Sequence, residues 1–497
     1  MNKLYYGDCL TIMQDKLLLN SVDLIYLDPP FKSDRNYNAI YQDETGRPLP
    51  DQVEAFCDTW TLDEATERSI RQMPVLMREA GIEDTVAEFW KLWMNALRGT
   101  NPSLLAYLAY MAERLLAMRP LLRPTGSIYL HCDSTASHYI KVLMDSVFGH
   151  LNFRREIIWN NKDSSGFKSQ AKNWIRGHDI ILYYVKSENA TFNKEYLPLD
   201  ERTVKRYDKI DSEGKRYKIY RTKGKPDRRS YLKEERGVAV SSVWADIPSF
   251  QTVNNTGEYL GYQTQKPLAL LERIINASTN VGDVVLDPFA GCATTVEAAH
   301  KLQRQWIGID VAIHAIKRVA TKRLHERLRL VEGVDFEIEG VPRTLEGAQD
   351  LWERDKYHFQ KWAVESVDGF VTTRRSGDGG VDGRIYFAMP DKKDLQSMAV
   401  EVKGGKNVGI GVMRELRGVL DNDAAQLAGL IVMEPLGATK ERNFKSFMAS
   451  AGHLEVNGTL YPRLQMLTVD EMLDGRRFQT PGVAARGIGQ QTLEVSS

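Results

Sequence analysis

Residues 283–294 read Asp-Val-Val-Leu-Asp-Pro-Phe-Ala-Gly-Cys-Ala-Thr, a short apolar run followed by a turn of small residues. The run predicts a β-strand, and the stretch through Gln303 predicts a helix directly after the turn. A second apolar strand, residues 305–310, ends on Asp310. Small residues let a ligand approach the backbone, a helix N-terminus offers free N–H groups, and a strand-ending carboxylate can bind a ribose diol. The arrangement is typical of a nucleoside-cofactor half-site, while ordinary βαβ packing stays the alternative.

Around this segment the sequence alternates strand and helix patterns. The first strand, residues 22–27, stops at Asp28-Pro29-Pro30-Phe31, because a prolyl pair ends a strand. The further predicted elements are a helix at 104–122, a strand at 127–131, a helix at 135–148, and strands at 156–159 and 179–185. This alternation indicates an α/β fold built on a mostly parallel sheet.

Composition limits the classes of protein that remain. The 497-residue chain carries 66 Lys+Arg and 66 Asp+Glu, and its hydrophobic content of 42% excludes a disordered chain. Its length implies about two to four domains, and no apolar run approaches the roughly 18–20 residues of a membrane span. The acidic Asp8 argues against a secretory signal, and the four cysteines are too dispersed for a zinc site or a disulfide scaffold. We therefore expect a cytoplasmic multidomain protein with no membrane segment.

The Asp28-Pro29-Pro30-Phe31 motif carries groups that can activate an exocyclic amine. The amine of adenine or cytosine is a poor nucleophile, because its lone pair is delocalised into the ring. The Asp28 carboxylate and the Pro29 carbonyl could accept hydrogen bonds from the amine and draw it towards a tetrahedral geometry. Phe31 could stack on a base that has left the duplex. Taken alone, the motif could also be a plain strand-ending turn.

In the order of these motifs, residues 1–330 resemble the β-class amino-methylating DNA methyltransferases, whose fold is Rossmann-like and whose cofactor is S-adenosylmethionine. The resemblance implies that Asp28, Pro29, Pro30 and Phe31 are catalytic. It also implies cofactor contacts from a Gly-Asp-Cys-Leu motif, a Thr-Gln-Lys-Pro segment and the turn described above, namely Asp8, Gln265, Lys266, Pro267, Asp287, Phe289, Gly291, Ala293, Thr294 and Asp310. Ala293 departs from the family pattern, which has glycine there.

The resemblance favours N6 of adenine as the methylated atom, with cytosine N4 as the alternative. It places an inserted target-recognition region at residues 186–262. Residues 186–236 contain 16 Lys/Arg against 10 Asp/Glu, interleaved with tyrosines. A basic stretch with aromatic side chains predicts contacts to DNA phosphates and bases, while a solvated hairpin is the alternative.

A second group of charged residues lies in the C-terminal part. Glu401 and Lys403 are two residues apart on a predicted strand, so their side chains point to the same face. If the preceding strand pairs with it as a hairpin, Asp382 comes near Glu401. Two carboxylates can bind Mg²⁺ and an ammonium can orient a water, as phosphodiester hydrolysis requires. An exposed, ion-paired strand stays the alternative.

Residues 351–475 resemble the Mrr-type restriction endonucleases of the PD-(D/E)xK fold, on the stretches 376–383, 401–403 and 414–419. The resemblance implies that Asp382 and Glu401 bind Mg²⁺ and that Lys403 supports the attacking water. Asp378 competes for the role of the first acid, and Gln360 on the preceding helix is a candidate auxiliary contact.

The sequence therefore predicts a Rossmann-like methyltransferase domain (1–330), a linker (331–350), an α/β endonuclease-like domain (351–475) and a flexible tail (476–497). The predicted function is restriction–modification of double-stranded DNA, with methylation and Mg²⁺-dependent cleavage in one chain. Two alternatives stay open, a C-terminal domain that only binds DNA and a methyltransferase acting on RNA or a small molecule. A homodimer and a separate restriction or specificity subunit also stay open.

Overall fold

A computed structural model of the protein describes most of the chain. The described residues are 2–30, 37–39, 53–56, 60–160, 172, 174–199, 201–221, 226–232, 237–250, 257–259, 265–372, 381–389, 395–406, 408–422 and 425–481. Phe31 of the predicted catalytic motif, Asp378 and residues 482–497 of the predicted tail lie outside these ranges.

The strands and helices are numbered along the chain. The strands are β1 (Asn2–Tyr6), β2 (Val22–Leu27), β3 (Tyr37–Ala39), β4 (Val53–Phe56), β5 (Leu122–Cys132), β6 (Phe153–Asn160), β7 (His178–Val185), β8 (Tyr196–Leu197), β9 (Lys209–Ile210), β10 (Arg216–Tyr220), β11 (Arg228–Tyr231), β12 (Val238–Ala239), β13 (Val243–Trp244), β14 (Val284–Asp287), β15 (Gln305–Asp310), β16 (Phe336–Glu339), β17 (Phe370–Val371), β18 (Gly383–Phe387), β19 (Gln396–Lys403), β20 (Leu427–Val432), β21 (His453–Val456), β22 (Thr459–Pro462) and β23 (Leu464–Thr468). The helices are α1 (Cys9–Lys16), α2 (Glu64–Glu79), α3 (Asp84–Thr100), α4 (Pro102–Leu121), α5 (Ser137–Phe148), α6 (Glu201–Lys205), α7 (Leu268–Ser278), α8 (Thr294–Lys301), α9 (Thr321–Leu328), α10 (Leu345–Arg354), α11 (Lys356–Ser366), α12 (Gly411–Asp421), α13 (Ala438–Ser450) and α14 (Val469–Leu473).

The N-terminal part is built on a large mixed sheet, in agreement with the predicted α/β fold. Its strand order is β13-β6-β7-β5-β2-β14-β15-β1-β16. The strands are parallel to their neighbours except β7, which runs antiparallel to both β5 and β6. Every residue of β2 is buried, as expected for a strand covered on both faces. The sheet therefore brings the carboxyl ends of β2, β14 and β15 to one edge.

Helix α4 explains how one side of this sheet is covered. Asn101 caps its start by accepting a hydrogen bond from Leu104 N at 3.1 Å, and Pro102 occupies its first turn, where no N–H is needed. The helix is apolar almost all round, because it packs against α1, α2, α3 and α5 as well as β5. The predicted helix at 104–122 is confirmed.

The C-terminal part has its own sheet, in the order β17-β18-β19-β20-β23. β18 and β19 pair antiparallel, so the predicted hairpin is confirmed, and β19, β20 and β23 run parallel. Helix α11 packs on β17 and β19, while α12 packs on β19 and β20.

The predicted linker at 331–350 is wrong in one respect, because these residues are structured. β16 pairs in parallel with β1 and extends the large sheet, and Thr344 caps α10 by accepting from Gly347 N at 3.1 Å. Phe336 of β16 lies in the same hydrophobic core as Phe359 and Trp362 of α11. The turn-rich composition around β16 hid the buried alternation of Phe336 and Ile338.

The predicted flexible tail at 476–497 is wrong for its first residues. Phe478 is buried and packs against Gly429 of β20, where any side chain would collide with its ring. Gln479 N donates to Gln465 Oε1 at 2.8 Å. Residues 476–481 are thus anchored on the C-terminal sheet.

Candidate functional site

Three carboxylates meet at the edge of the large sheet. β14 pairs with β2 on one side and with β15 on the other, all parallel. Asp28 follows β2 directly, Asp287 is the last residue of β14, and Asp310 is the last residue of β15. In open α/β sheets ligands bind outside the carboxyl ends of the strands. The turns that the sequence predicts to be a catalytic loop and a cofactor turn therefore lie side by side at this edge of the sheet.

Asp310 connects three segments of this site through its backbone and side chain. Its carboxylate accepts hydrogen bonds from Gly291 N and from Ala312 N, both at 2.8 Å. Its carbonyl accepts from Gly7 N at 3.0 Å. The turn after β14, the exit of β15 and the end of β1 are thereby fixed to one another.

Asp287 occupies a position where its charge is poorly solvated. Asp287 is only 4% exposed, and burial raises the pKa of its carboxyl to about 7. Hydrogen bonds from Thr295 and from Phe289 N oppose the rise, whereas the charges of Asp28 and Asp310 add to it. Burial also raises the pKa of Asp310. A site with crowded, desolvated carboxylates suits a ligand that brings hydroxyl donors and positive charge.

The turn of small residues has unusual backbone geometry at the position where this chain departs from the family pattern. Ala293 has φ +60° and ψ +35°, in the left-handed region that favours glycine. Its methyl group is completely buried. Helix α8 begins directly after it without a side-chain cap, so no side chain competes with a ligand for the N–H groups there.

Behind the turn lies a buried ion pair that sequence reasoning missed. The Arg323 guanidinium donates to Thr294 Oγ1 at 2.6 Å and lies 3.3 Å from Glu297 Oε2. Both charged residues are almost completely buried, and Lys301 and Arg327 also approach Glu297. The only sequence signal was a basic helix after β15. In this arrangement the Thr294 hydroxyl supports the turn.

Asp8 serves as the N-cap of α1, where its Oδ1 accepts from Leu10 N at 2.9 Å. Its Oδ2 lies 2.5 Å from Nη2 of Arg114, which is buried in α4. The Arg114 guanidinium also lies 3.3 Å from the ring centroid of Tyr110. Sequence reasoning missed Arg114, although a charged residue between the apolar residues of α4 was the available signal.

Asp28 forms a close ion pair with Lys266, which comes from the Thr-Gln-Lys-Pro segment 238 residues away. The side chains are 15% and 12% exposed, respectively. Gln265 donates to the carbonyl of Glu258 at 2.9 Å, and Pro267 precedes α7. The structure thus brings the two predicted segments together.

A buried polar network lies next to this pair. Tyr26 Oη lies 3.0 Å from His131 Nδ1, and His131 Nε2 lies 3.3 Å from Asp179 Oδ2. Arg176 donates to Asp179 Oδ1 at 2.6 Å. Burial opposes ionisation of Asp179, but the hydrogen bond from His131 and the charges of Lys266 and Arg176 hold its pKa below the ordinary value. His131 therefore joins β2, β5 and β7 near the catalytic loop.

The predicted target-recognition region forms two small sheets and also contributes the edge strand β13 to the large sheet. β9, β10 and β11 are antiparallel, and β8 pairs with β12. The Lys218 ammonium lies over the rings of Tyr207 (4.7 Å) and Tyr220 (5.1 Å), and Arg229 lies over Tyr217 (5.0 Å). The register puts the Lys218 group on one face of this small sheet and the Arg229–Tyr217 pair on the other, so each face carries a cation–aromatic contact.

In the C-terminal sheet the predicted charged residues also meet. Gly383 is paired with Val400, so Asp382 stands opposite Glu401, and Asp382 Oδ2 accepts from Val402 N at 2.7 Å. Lys403 Nζ lies 2.5 Å from Glu401 Oε1. Burial raises the pKa of Glu401 to about 7; Lys403 opposes the rise, and Asp382 and Glu415 add to it.

These residues fit a hard divalent cation in type and environment. Both Glu401 oxygens are buried, and neither has a well-oriented hydrogen bond within the described part of the chain. Such carboxylate oxygens suit Mg²⁺, which prefers oxygen ligands. Among the described residues no cluster of three or more His, Cys, Asp or Glu completes a metal site, and Asp378 is outside them. Gln360 lies on α11, which packs on β19.

Residues 22–322, more than half of the chain, match the DNA methylase family, and the protein belongs to that family. Residues 348–440 match a restriction endonuclease family of the Mrr type. The chain is therefore a fusion of an amino-methyltransferase domain of the β class with a C-terminal Mrr-like domain.

Several curated methyltransferases are similar to part of this chain. Type II methyltransferase M.EcaI of Enterobacter cloacae is 29% identical over 262 residues, covering 43% of this chain and 56% of that protein. Type II methyltransferase M.BamHI of Bacillus amyloliquefaciens is 27% identical over 63% of this chain and 55% of its own length. DNA adenine methyltransferase YhdJ of Escherichia coli is 27% identical over 63% of this chain and 79% of that protein. The chain thus spans little more than half the length of the first two.

No helix within the described ranges combines the length and apolar character needed to cross a membrane.

Proposed function

We propose that the N-terminal part transfers a methyl group from S-adenosylmethionine to the exocyclic amine of a flipped adenine in double-stranded DNA. The observation that carries the proposal is the meeting of Asp28 and Lys266 with the turn between Asp287 and Asp310 at one sheet edge. Membership of the DNA methylase family supports the substrate class. The cation–aromatic contacts of Lys218 and Arg229 in the basic segment support contact with DNA.

In this proposal Asp28 and the carbonyl of Pro29 accept hydrogen bonds from the target amine. The amine nitrogen then carries its lone pair out of the base plane and towards the methyl donor. Lys266, which pairs with Asp28, holds the carboxylate in place until the base arrives. Phe31 stacks on the extruded base.

The cofactor-binding residues of this proposal are Asp8, Gln265, Lys266, Pro267, Asp287, Phe289, Gly291, Ala293, Thr294 and Asp310. Asp310 binds the ribose hydroxyls, and the open start of α8 receives the carboxylate of the cofactor's methionine part. When bound, the cofactor supplies an electrophilic methyl group on a sulfonium. The surrounding carboxylates of Asp28 and Asp287 favour that positive charge.

The test is transfer of labelled methyl from S-adenosylmethionine to duplex DNA, single-stranded DNA and RNA. We expect Asp28→Asn to lower transfer to duplex DNA by at least about a hundredfold, because the variant loses a charged acceptor at the reacting amine. Asp15→Asn, on the exposed face of α1, is the matched control. Full activity of Asp28→Asn would refute the assigned catalytic loop.

Adenine is proposed over cytosine on the Asp28-Pro29-Pro30-Phe31 motif. Mass analysis of nucleosides from methylated DNA separates the two. N6-methyldeoxyadenosine supports the proposal, whereas N4-methyldeoxycytidine would replace it with the cytosine alternative.

We further propose that the C-terminal part cleaves unmethylated DNA with Mg²⁺. Asp382 and Glu401 would hold the ion, and Lys403 would orient the attacking water and favour its ionised form. The ion supplies charge neutralisation at the phosphodiester. The buried carboxylate of Glu401, which stands opposite Asp382 and beside the Lys403 ammonium, carries this proposal.

A cleavage assay with Mg²⁺ tests it on unmodified DNA and on the same DNA first methylated by this protein in EDTA. We expect discrete fragments from the unmodified sample only. Glu401→Gln should abolish cleavage and leave methylation intact, with Glu455→Gln on the exposed strand β21 as control. Cleavage of neither sample would favour a C-terminal domain that only binds DNA or needs a separate subunit.

A further inference from the structure

Helix α11 of the C-terminal domain lies against the proposed cofactor half-site. Glu365 Oε2, near its C-terminal end, accepts a hydrogen bond from Ile313 N at 2.9 Å. Ile313 comes three residues after Asp310, the proposed ribose acid. At the other end of the same helix, the His358 ring meets Tyr6 edge-on, with 6.4 Å between ring centroids. Tyr6 immediately precedes Gly7, whose N–H is bonded to Asp310.

Lys361 lies between these two contacts. His358, Lys361 and Glu365 are spaced by three and four residues, so they occupy one face of α11. Since both outer residues touch the N-terminal part, this spacing turns Lys361 towards the same side, and its charge acts on Asp310. Lys361 is half-buried, and no carboxylate of the described residues pairs with its ammonium.

The electrostatics agree with this placement. Burial raises the pKa of Asp310, and the charges acting on it include Lys361, which lowers the pKa, and Glu365, which raises it. Each carboxylate oxygen of Asp310 already accepts a hydrogen bond from a backbone N–H. The Lys361 ammonium therefore keeps N–H donors that a ligand can use.

We propose that α11 completes the methyltransferase's cofactor site, with Lys361 as a cofactor-binding residue that donates to the ribose oxygens of S-adenosylmethionine. Glu365 is a positioning residue, because it fixes the backbone after Asp310 and does not itself touch the cofactor. The inference rests on the proposed methyltransferase function and extends it, since it makes the endonuclease-like domain part of the cofactor site.

The same helix also packs on β19, which carries Glu401 and Lys403. A ligand that orders α11 from the cofactor side therefore acts on an element that supports the proposed metal site. Helix α11 therefore connects the proposed cofactor site with the proposed metal site.

The first test is isothermal titration of the full-length chain with S-adenosylhomocysteine, which binds the same site without reacting. We expect Lys361→Met to raise Kd about tenfold, equivalent to about 1.4 kcal/mol. Lys356→Met is the matched control, because Lys356 lies on the same helix over the ring of Trp352, with 5.3 Å between its ammonium and the ring centroid. Equal Kd values for the wild type and Lys361→Met would overturn this inference and leave the proposed methyltransferase function standing.

The positioning role of Glu365 has its own comparison. Glu365→Gln keeps an oxygen that can accept from Ile313 N, whereas Glu365→Met removes it. We expect Kd to rise severalfold in Glu365→Met and to return close to the wild-type value in Glu365→Gln. Equal Kd values for the two variants would refute this role.

A measurement on the unmodified protein avoids variants that fold poorly. We expect S-adenosylhomocysteine to slow hydrogen exchange of amides in α11 at least severalfold, with α13 unchanged as the internal control. Binding without protection of α11 would overturn the inference. Failure of the wild-type chain to bind at all would instead overturn the proposed methyltransferase function, and this inference with it.

Discussion

The buried carboxyl of Asp287 makes the stability of the cofactor-free protein depend on pH. Its pKa in the folded chain is raised, mainly by burial, from an ordinary 3.8 to about 7. A raised pKa means that the folded state holds the proton more tightly than the unfolded state. This contribution to stability is complete below about pH 4 and is lost as pH rises through about 7.

The magnitude follows from linkage. At about 1.4 kcal/mol per tenfold change in proton affinity, the total for Asp287 is roughly 4 kcal/mol. Most of the loss falls between pH 5 and pH 8, where it amounts to roughly 2 to 3 kcal/mol. Asp287→Asn keeps an oxygen that can accept from Phe289 N but carries no titrating proton. Its stability relative to wild type should therefore increase by that amount between pH 5 and pH 8.

Urea unfolding of both proteins at pH 5, 6, 7 and 8, without cofactor, measures this difference. Titration of other groups cancels between the two proteins, and Asp15→Asn, whose side chain is exposed, controls for the loss of one acid. A difference between Asp287→Asn and wild type that stays constant over this range would refute the assignment of a raised pKa to Asp287.

Three further predictions concern the surroundings of the sites. Ala293→Gly relieves about 1 kcal/mol of left-handed backbone strain, but it removes a buried methyl group and raises the entropy of the unfolded chain. The free energy of unfolding in urea should therefore change by less than about 1 kcal/mol. Ala293→Val should lower that free energy by about 2 kcal/mol, because a branched side chain fits the left-handed region poorly. Arg323→Met should destabilise by about 3 kcal/mol, because it leaves Glu297 buried without its innermost partner, and the exposed Arg68→Met should change little. Phe478→Ala should cost about 3 kcal/mol by opening a cavity over Gly429; an unchanged melting temperature would contradict its packing.

The positions of the candidate site residues in the fold could be predicted from the sequence, whereas the roles assigned to them stay predictions. Asp28, Asp287 and Asp310 follow apolar strands, and parallel strands place their carboxyl ends at one edge, so their proximity could be inferred. Glu401 and Lys403 were predictable for a similar reason, because a strand repeats every two residues.

Partners that come from distant helices could not be predicted. Arg114 reaches Asp8 from α4, and Arg323 reaches Thr294 from α9. No local pattern specifies which turn of a helix faces a given loop. β16 was missed for another reason, because a four-residue strand among glycines has too few residues to show alternation.

Helix α2 illustrates a third limit. It contains Pro74, which in sequence argues against a helix, yet the helix continues through it in the structure. Packing against α3 and α4 buries Ile70, Met73 and Met77 and outweighs the lost hydrogen bond.

The position of β16 in the large sheet has a consequence for separating the two parts of the chain. β16 pairs with β1 at the opposite end of the N-terminal part, and its Phe336 shares a core with Phe359 of the C-terminal part. A protease cut between residues 331 and 350 would leave apolar surface of this shared core exposed if the two fragments separated. Under the proposed restriction–modification function, the parts assigned to methylation and to cleavage would then always be supplied together, one to one.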